Sequence, residues 1–268
     1  MRRLKRHFKV KGENIITSVT HRISQIKQPR GGYIRPKEFS ETVLFDGIGL
    51  NPEESIHAIL VGLAVDYMTR FIMGVPAEEA FKISLLGSQI IRQEDKAKKF
   101  ISQIKGLDDL SITYACKLVG YDVCKRAGSA GYQPVETIIA DESTIFNIRT
   151  MVNRSVDFLG NFGPIIKEGF TFEHGYTPTV TSGDGDYLTE DTLWDFKVSK
   201  NAPTNKQTLQ LLMYYILGHR SIHKEFQEIK KLGIYNPRLN IVYLLEISKI
   251  DLMVRLEVAA SVLGVVIK

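Results

Sequence analysis

The chain has 268 residues, enough for one large domain or two small ones, and at 44% hydrophobic it can bury a proper core. Its net charge is +5, yet the first 37 residues hold eleven Lys or Arg against one acid, so the remainder is net acidic. With two cysteines, no Cys/His zinc spacing and no Walker-type Gly-Lys-Ser loop, a disulfide scaffold, a zinc finger and a P-loop motor are excluded.

Residues 1–37 read as a basic arm opening on Met1-Arg2-Arg3-Leu4-Lys5-Arg6. Such an arm suits phosphate contact and a salt-dependent affinity, with Arg2, Arg3, Lys5 and Arg6 as candidate nucleic-acid contacts; the plain alternative is a solvated tail. No apolar core follows the charges, as a secretion signal would need, and Glu13 argues against a mitochondrial address. A cytoplasmic protein is expected.

Residues 38–134 read as a helical region. Asn51-Pro52-Glu53-Glu54 predicts a helix start, with Asn51 as cap, proline at the first position and Glu54 completing a capping box, and the helix should run to Phe71. Asp66 is out of place in that apolar stretch, because an unpaired buried carboxylate is costly; it either serves a site or pairs with Arg70 one turn later. His57 is a lesser candidate. Asp108 and Asp141 mark further helix starts. Cys116 and Cys124 fall on one expected helix, about 12 Å of rise apart and too far to bridge.

Residues 135–268 carry the clearest chemistry. A helix from Asp141 to Leu159 bears Glu142, and an expected first strand, Phe170–Val180, bears His174. Next comes Gly183-Asp184-Gly185-Asp186, whose glycines allow close backbone approach. The polar run 189–192 then turns the chain into Trp194-Asp195-Phe196-Lys197. On a strand Asp195 and Lys197 share one face with Leu193, while Trp194, Phe196 and Val198 share the other. An antiparallel hairpin would bring Asp186 to Asp195. Hard carboxylate oxygens in that arrangement suit Mg²⁺ or Mn²⁺. A helix over Pro203–Gly218 follows, with Gln207, Gln210 and Tyr214 along one edge. Leu239–Leu245 reads as a strand and Ile250–Val266 as a covering helix, too short and too interrupted by charge to span a membrane.

Taken in order, Gly-Asp-Gly-Asp, Asp-Phe-Lys and Gln210-x-x-x-Tyr214 resemble the PD-(D/E)XK nuclease superfamily, its RecB-like branch in particular, over Gly183 to Leu245. The resemblance implies an α/β core with a mixed central sheet flanked by helices. It implies hydrolysis of DNA phosphodiester bonds by a metal-activated water. Asp186, Asp195 and the Phe196 carbonyl would be metal ligands, Lys197 would handle the attacking water, and Gln210 and Tyr214 would support substrate or lysine. Family members work in recombination, restriction, phage defence and mobile elements. They also carry an upstream ligand, which in this branch is a His separated from a Gly by three residues. Here Gly62 is followed at that spacing by Asp66, so Asp66, His57, Glu142 and His174 all stand as candidates. Two rival readings are a non-catalytic DNA-binding or assembly subunit and a nuclease acting on RNA. A protein partner or a homo-oligomer fits either.

Overall fold

The computed structural model describes residues 17–265. Arg2, Arg3, Lys5 and Arg6 therefore lie outside the described residues. In chain order the elements are α1 (Val19–Gln25), β1 (Ser40–Val43), α2 (Ala58–Ile72), α3 (Ala77–Ala80), α4 (Lys82–Ile90), α5 (Glu94–Ile101), α6 (Asp109–Leu118), α7 (Asp122–Arg126), α8 (Glu142–Phe162), β2 (Lys167–Phe170), β3 (Gly185–Leu188), β4 (Thr192–Phe196), α9 (Asn205–Arg220), β5 (Lys231–Asn236), β6 (Ile241–Glu246) and α10 (Leu252–Glu257). The strands make one six-stranded mixed sheet in the order β1-β6-β5-β4-β3-β2. β4 and β5 are parallel, and every other neighbouring pair is antiparallel. The architecture is α/β, a mixed sheet with helices on both faces.

One face is covered by α9 and α1. Leu188, Leu193, Leu232 and Ile234 of the strands pack there with Leu209, Leu212 and Met213 of α9 and with Val19 and Ile23 of α1. The other face is aromatic: Phe158 of α8 stacks on Tyr235 at 4.1 Å between ring centres and meets Trp194 edge-on at 4.8 Å. Beyond α8 a layer of helices has a core of its own, in which Val61, Val65 and Met68 of α2 meet Ile148 and Met151 of α8. The predicted alternation in β4 is met, since Leu193 faces α9 while Trp194 and Phe196 face α8.

Several expectations need correction. Segment 17–37 is no detached arm: Val19, Ile23 and Ile34 are almost wholly buried in the α9-side core. Region 38–134 is not purely helical either, because β1 pairs with β6 and so belongs to the sheet. Asn51 caps no helix. Its N–H donates to Asn147 Oδ1 at 2.8 Å, and α2 begins after His57, whose Nδ1 accepts from the Ile59 N–H. Asp108 and Asp141 do cap α6 and α8 as expected. A 3-10 turn at Val119–Tyr121 separates Cys116 on α6 from Cys124 on α7, and both thiols are free.

The expected strand Phe170–Val180 does not form; β2 is Lys167–Phe170 and stops at the first residue of that span. β5 has no sequence signal: buried along most of its length between two helical layers, it lacks the alternation that marks a half-exposed strand. It, and not the 241–246 strand, is the first strand after α9. α9 starts two residues beyond Pro203, with Thr204 and Gln207 forming a reciprocal cap, and continues past Gly218. The C-terminal expectation resolves into α10, capped by Asp251, and a π-helical turn at Val258–Val262. No helix among the described residues is long and apolar enough to cross a membrane.

Candidate active site

The site forms where the β3–β4 hairpin meets α9. Tyr187 faces Trp194 and Leu188 faces Leu193, so one step further along the ladder Asp186 faces Asp195, both on the α9 side. Gly185 lets β2 pack beside this hairpin, because a Cβ there would land in the Phe170 ring. The Phe196 N–H donates to Asp186 Oδ2 at 2.7 Å, in place of a further backbone pair. In an extended strand a residue's N–H and C=O leave toward the same neighbour, so the Phe196 carbonyl shares the Asp186 edge.

Asp195 is 2% exposed. Lys197 Nζ donates to its Oδ1 at 2.8 Å and lies 2.7 Å from Oδ2, so Oδ2 has an ion-pair contact but no hydrogen bond. Burial pushes the Asp195 carboxyl up to about 6; Lys197 opposes the shift and the Asp186 charge adds to it. Burial alone would favour a neutral Lys197, but Asp195, Asp186 and Asp66 outweigh it and hold the amine's pKa above its ordinary value. Lys197 is therefore an ammonium at neutral pH and acts as a donor.

On α9 the Gln210 amide donates to the Tyr214 hydroxyl at 2.7 Å. Burial, and then the Asp195 charge, raises the pKa of that hydroxyl well above its ordinary value, with smaller contributions from Asp186 and Asp184. Gln207, expected on the same edge, instead spends its side chain on the helix cap, accepting from the Thr204 N–H at 2.7 Å.

Asp66 reaches the site from α2. It accepts from Arg70 Nε at 3.1 Å. Burial raises its carboxyl pKa, Arg70 opposes that, and the nearby Asp186 charge raises it further. Asp66 thus pairs with Arg70, as one of the two expectations had it, and lies near enough to Asp186 to feel its charge. Tyr187, whose buried hydroxyl has no partner, feels the same pair, its pKa raised well above the ordinary value by burial first and then by Asp66.

The other upstream candidates are occupied elsewhere. His57 caps α2 about 13 Å of helix rise from Asp66. Glu142 is an exposed first-turn residue of α8, and His174 is exposed in a turn with φ +64°. What sequence reasoning missed is Arg70 as more than a partner of Asp66; its only signal was a second charge in the same apolar helix.

The donor set fits a hard divalent cation in one specific way. Asp195 Oδ2 has the Lys197 ion pair but no hydrogen bond, and Asp186 stands opposite with the Phe196 carbonyl on its edge. Among the described residues no three His, Cys, Asp or Glu side chains converge to hold an ion. Two carboxylates completed by water and phosphate oxygens is how Mg²⁺ is usually bound, rather than in an all-protein cage. Searches against family models, curated proteins and solved structures find no match to this chain.

Proposed function

We propose that this protein is a divalent-metal-dependent nuclease of the PD-(D/E)XK type, RecB-like, that hydrolyses DNA phosphodiester bonds. The observation that carries the reading is the buried Asp195 carboxylate, set opposite Asp186 and contacted at both oxygens by the Lys197 ammonium. Two carboxylates facing each other at a buried site repel, and a bound cation would offset that repulsion. Asp186, Asp195 and the Phe196 carbonyl would hold Mg²⁺ or Mn²⁺, which when bound polarises a phosphate and eases deprotonation of water.

The chain's own groups do the rest. The Phe196 N–H fixes the Asp186 carboxylate, so its free oxygen needs no reorganisation. Lys197, 24% exposed at the mouth, offers N–H donors where negative charge grows on the phosphate oxygens. Gln210 and Tyr214, bonded to each other, wall the site on the α9 side and orient what enters beside Lys197.

The test is a cleavage assay on linear and circular DNA, single- and double-stranded, and on RNA, in Mg²⁺, Mn²⁺ or EDTA. Cleavage of DNA should require metal, vanish in Asp195→Ala and fall by roughly 10²–10³ in Lys197→Ala. Metal-independent cleavage, or variants as active as wild type, would refute the assignment. Cleavage confined to RNA would move the substrate, and DNA binding without cleavage would favour a binding subunit.

A further inference from the structure

Arg70 touches two layers of the molecule. Its Nε grips Asp66 on α2, and its side chain is only 20% exposed. The far end of the guanidinium presses on β2 at Gly169. Glu168 faces Tyr187 and Phe170 faces Gly185, so Gly169, between them, stands across from Asp186. Gly169 adopts φ +53°, a region that favours glycine, and a Cβ there would sit 2.7 Å from Arg70 Nη1. The conformation and the wedge both ask for glycine at this point.

We infer that Arg70 is a positioning residue for cation binding: wedged against Gly169, it fixes the Asp66 carboxylate beside Asp186, and the affinity of the Asp186–Asp195 pair for a divalent ion depends on that wedge. This rests on the metal-dependent reading given above. It differs from two simpler roles. As a bare charge, Arg70 would only repel a cation, and any change that kept the charge would leave binding alone. As a plain structural ion pair, it would affect melting temperature and not affinity.

Two variants keep the net charge and break the wedge. Arg70→Lys loses the planar fork that can hold Asp66 and lean on β2 together. Gly169→Ala leaves Arg70 intact and displaces its guanidinium. Mn²⁺ would be titrated calorimetrically into metal-free wild type, both single variants and the double variant, with circular dichroism confirming that each is folded. Each single change should weaken Mn²⁺ binding by about tenfold or more, the scale of groups that orient metal ligands. The double variant should be no worse than the weaker single, because both act through one guanidinium. Arg149→Lys, whose side chain pairs with Asp109 at the start of α6, should bind as wild type does.

Unchanged affinity in folded Arg70→Lys and Gly169→Ala would overturn the inference, and tighter binding would as well. If Gly169→Ala fails to fold, Arg70→Lys decides alone. Wild type that binds neither Mn²⁺ nor Mg²⁺ would remove the functional reading itself, which separates that failure from this one.

Discussion

Arg154 of α8, 7% exposed, ties together parts of the chain that no local rule links. Its guanidinium donates to both Asp46 oxygens, at 2.6 and 3.0 Å, and to the carbonyls of Ile48, Pro237 and Arg238. Truncating it strands a carboxylate and three carbonyls. Arg154→Leu should lose about 3–5 kcal/mol in urea denaturation, as when one partner of a buried pair is removed. Arg154→Lys should recover part of that, because an ammonium cannot reproduce the fork. The Arg154 hydrogen bonds hold the Asp46 carboxyl below its ordinary pKa. Their contribution is therefore present above the usual carboxylate range and is lost as pH falls through the folded-state value. Asp46 is 30% exposed, so the effect is softened by solvent. Asp46→Asn should flatten the acid limb of a denaturation series run from pH 6 to about pH 3.

At the scale of elements, α9 shows how a local signal can mislead. Gly218 reads as a helix stop, yet it lies inside the helix, where a Cβ would fall in the ring of Phe226. Alanine is the better helix former by about 1 kcal/mol, but overpacking against a buried aromatic costs about 1–3 kcal/mol. Gly218→Ala should therefore lower the melting temperature, and a rise would show that Phe226 yields freely. The hairpin was legible because its cues are local: alternation puts Asp195 and Lys197 on one face, and a polar tip fixes the register that brings Asp186 across. The helix caps at Asp108 and Asp141 were legible for the same reason. β5 was not, because burial on both faces erases the period-two pattern. The Arg70–Gly169 wedge was not either, since the two residues lie about a hundred positions apart and only tertiary packing joins them.

For the whole molecule, the basic N-terminal segment is divided by function. From Val19 onward it is core, so a chain lacking residues 1–37 loses Val19, Ile23 and Ile34 from beneath α9 and should fail to fold. A chain lacking residues 1–16 keeps those three side chains and should melt cooperatively. If residues 1–16 contact DNA phosphates, as their charge suggests, the shorter deletion should also flatten the dependence of DNA affinity on salt. Circular dichroism and binding titrations across a salt series would read both effects.

The sheet closes with a strand from near one end of the chain beside a strand from near the other. Ser40 bonds to Leu244 across 204 positions. On a ribosome adding about 5–20 residues per second, β1 and the α1 face wait roughly 10–40 s for β6 and α9 to emerge. The helices between them have their own core and can condense during that interval. From the end of α8 until β6 appears, the nascent chain therefore carries a finished helical half and an orphaned strand. Chaperone capture during translation is expected to centre on residues 19–44, and to end only once β6 has left the exit tunnel.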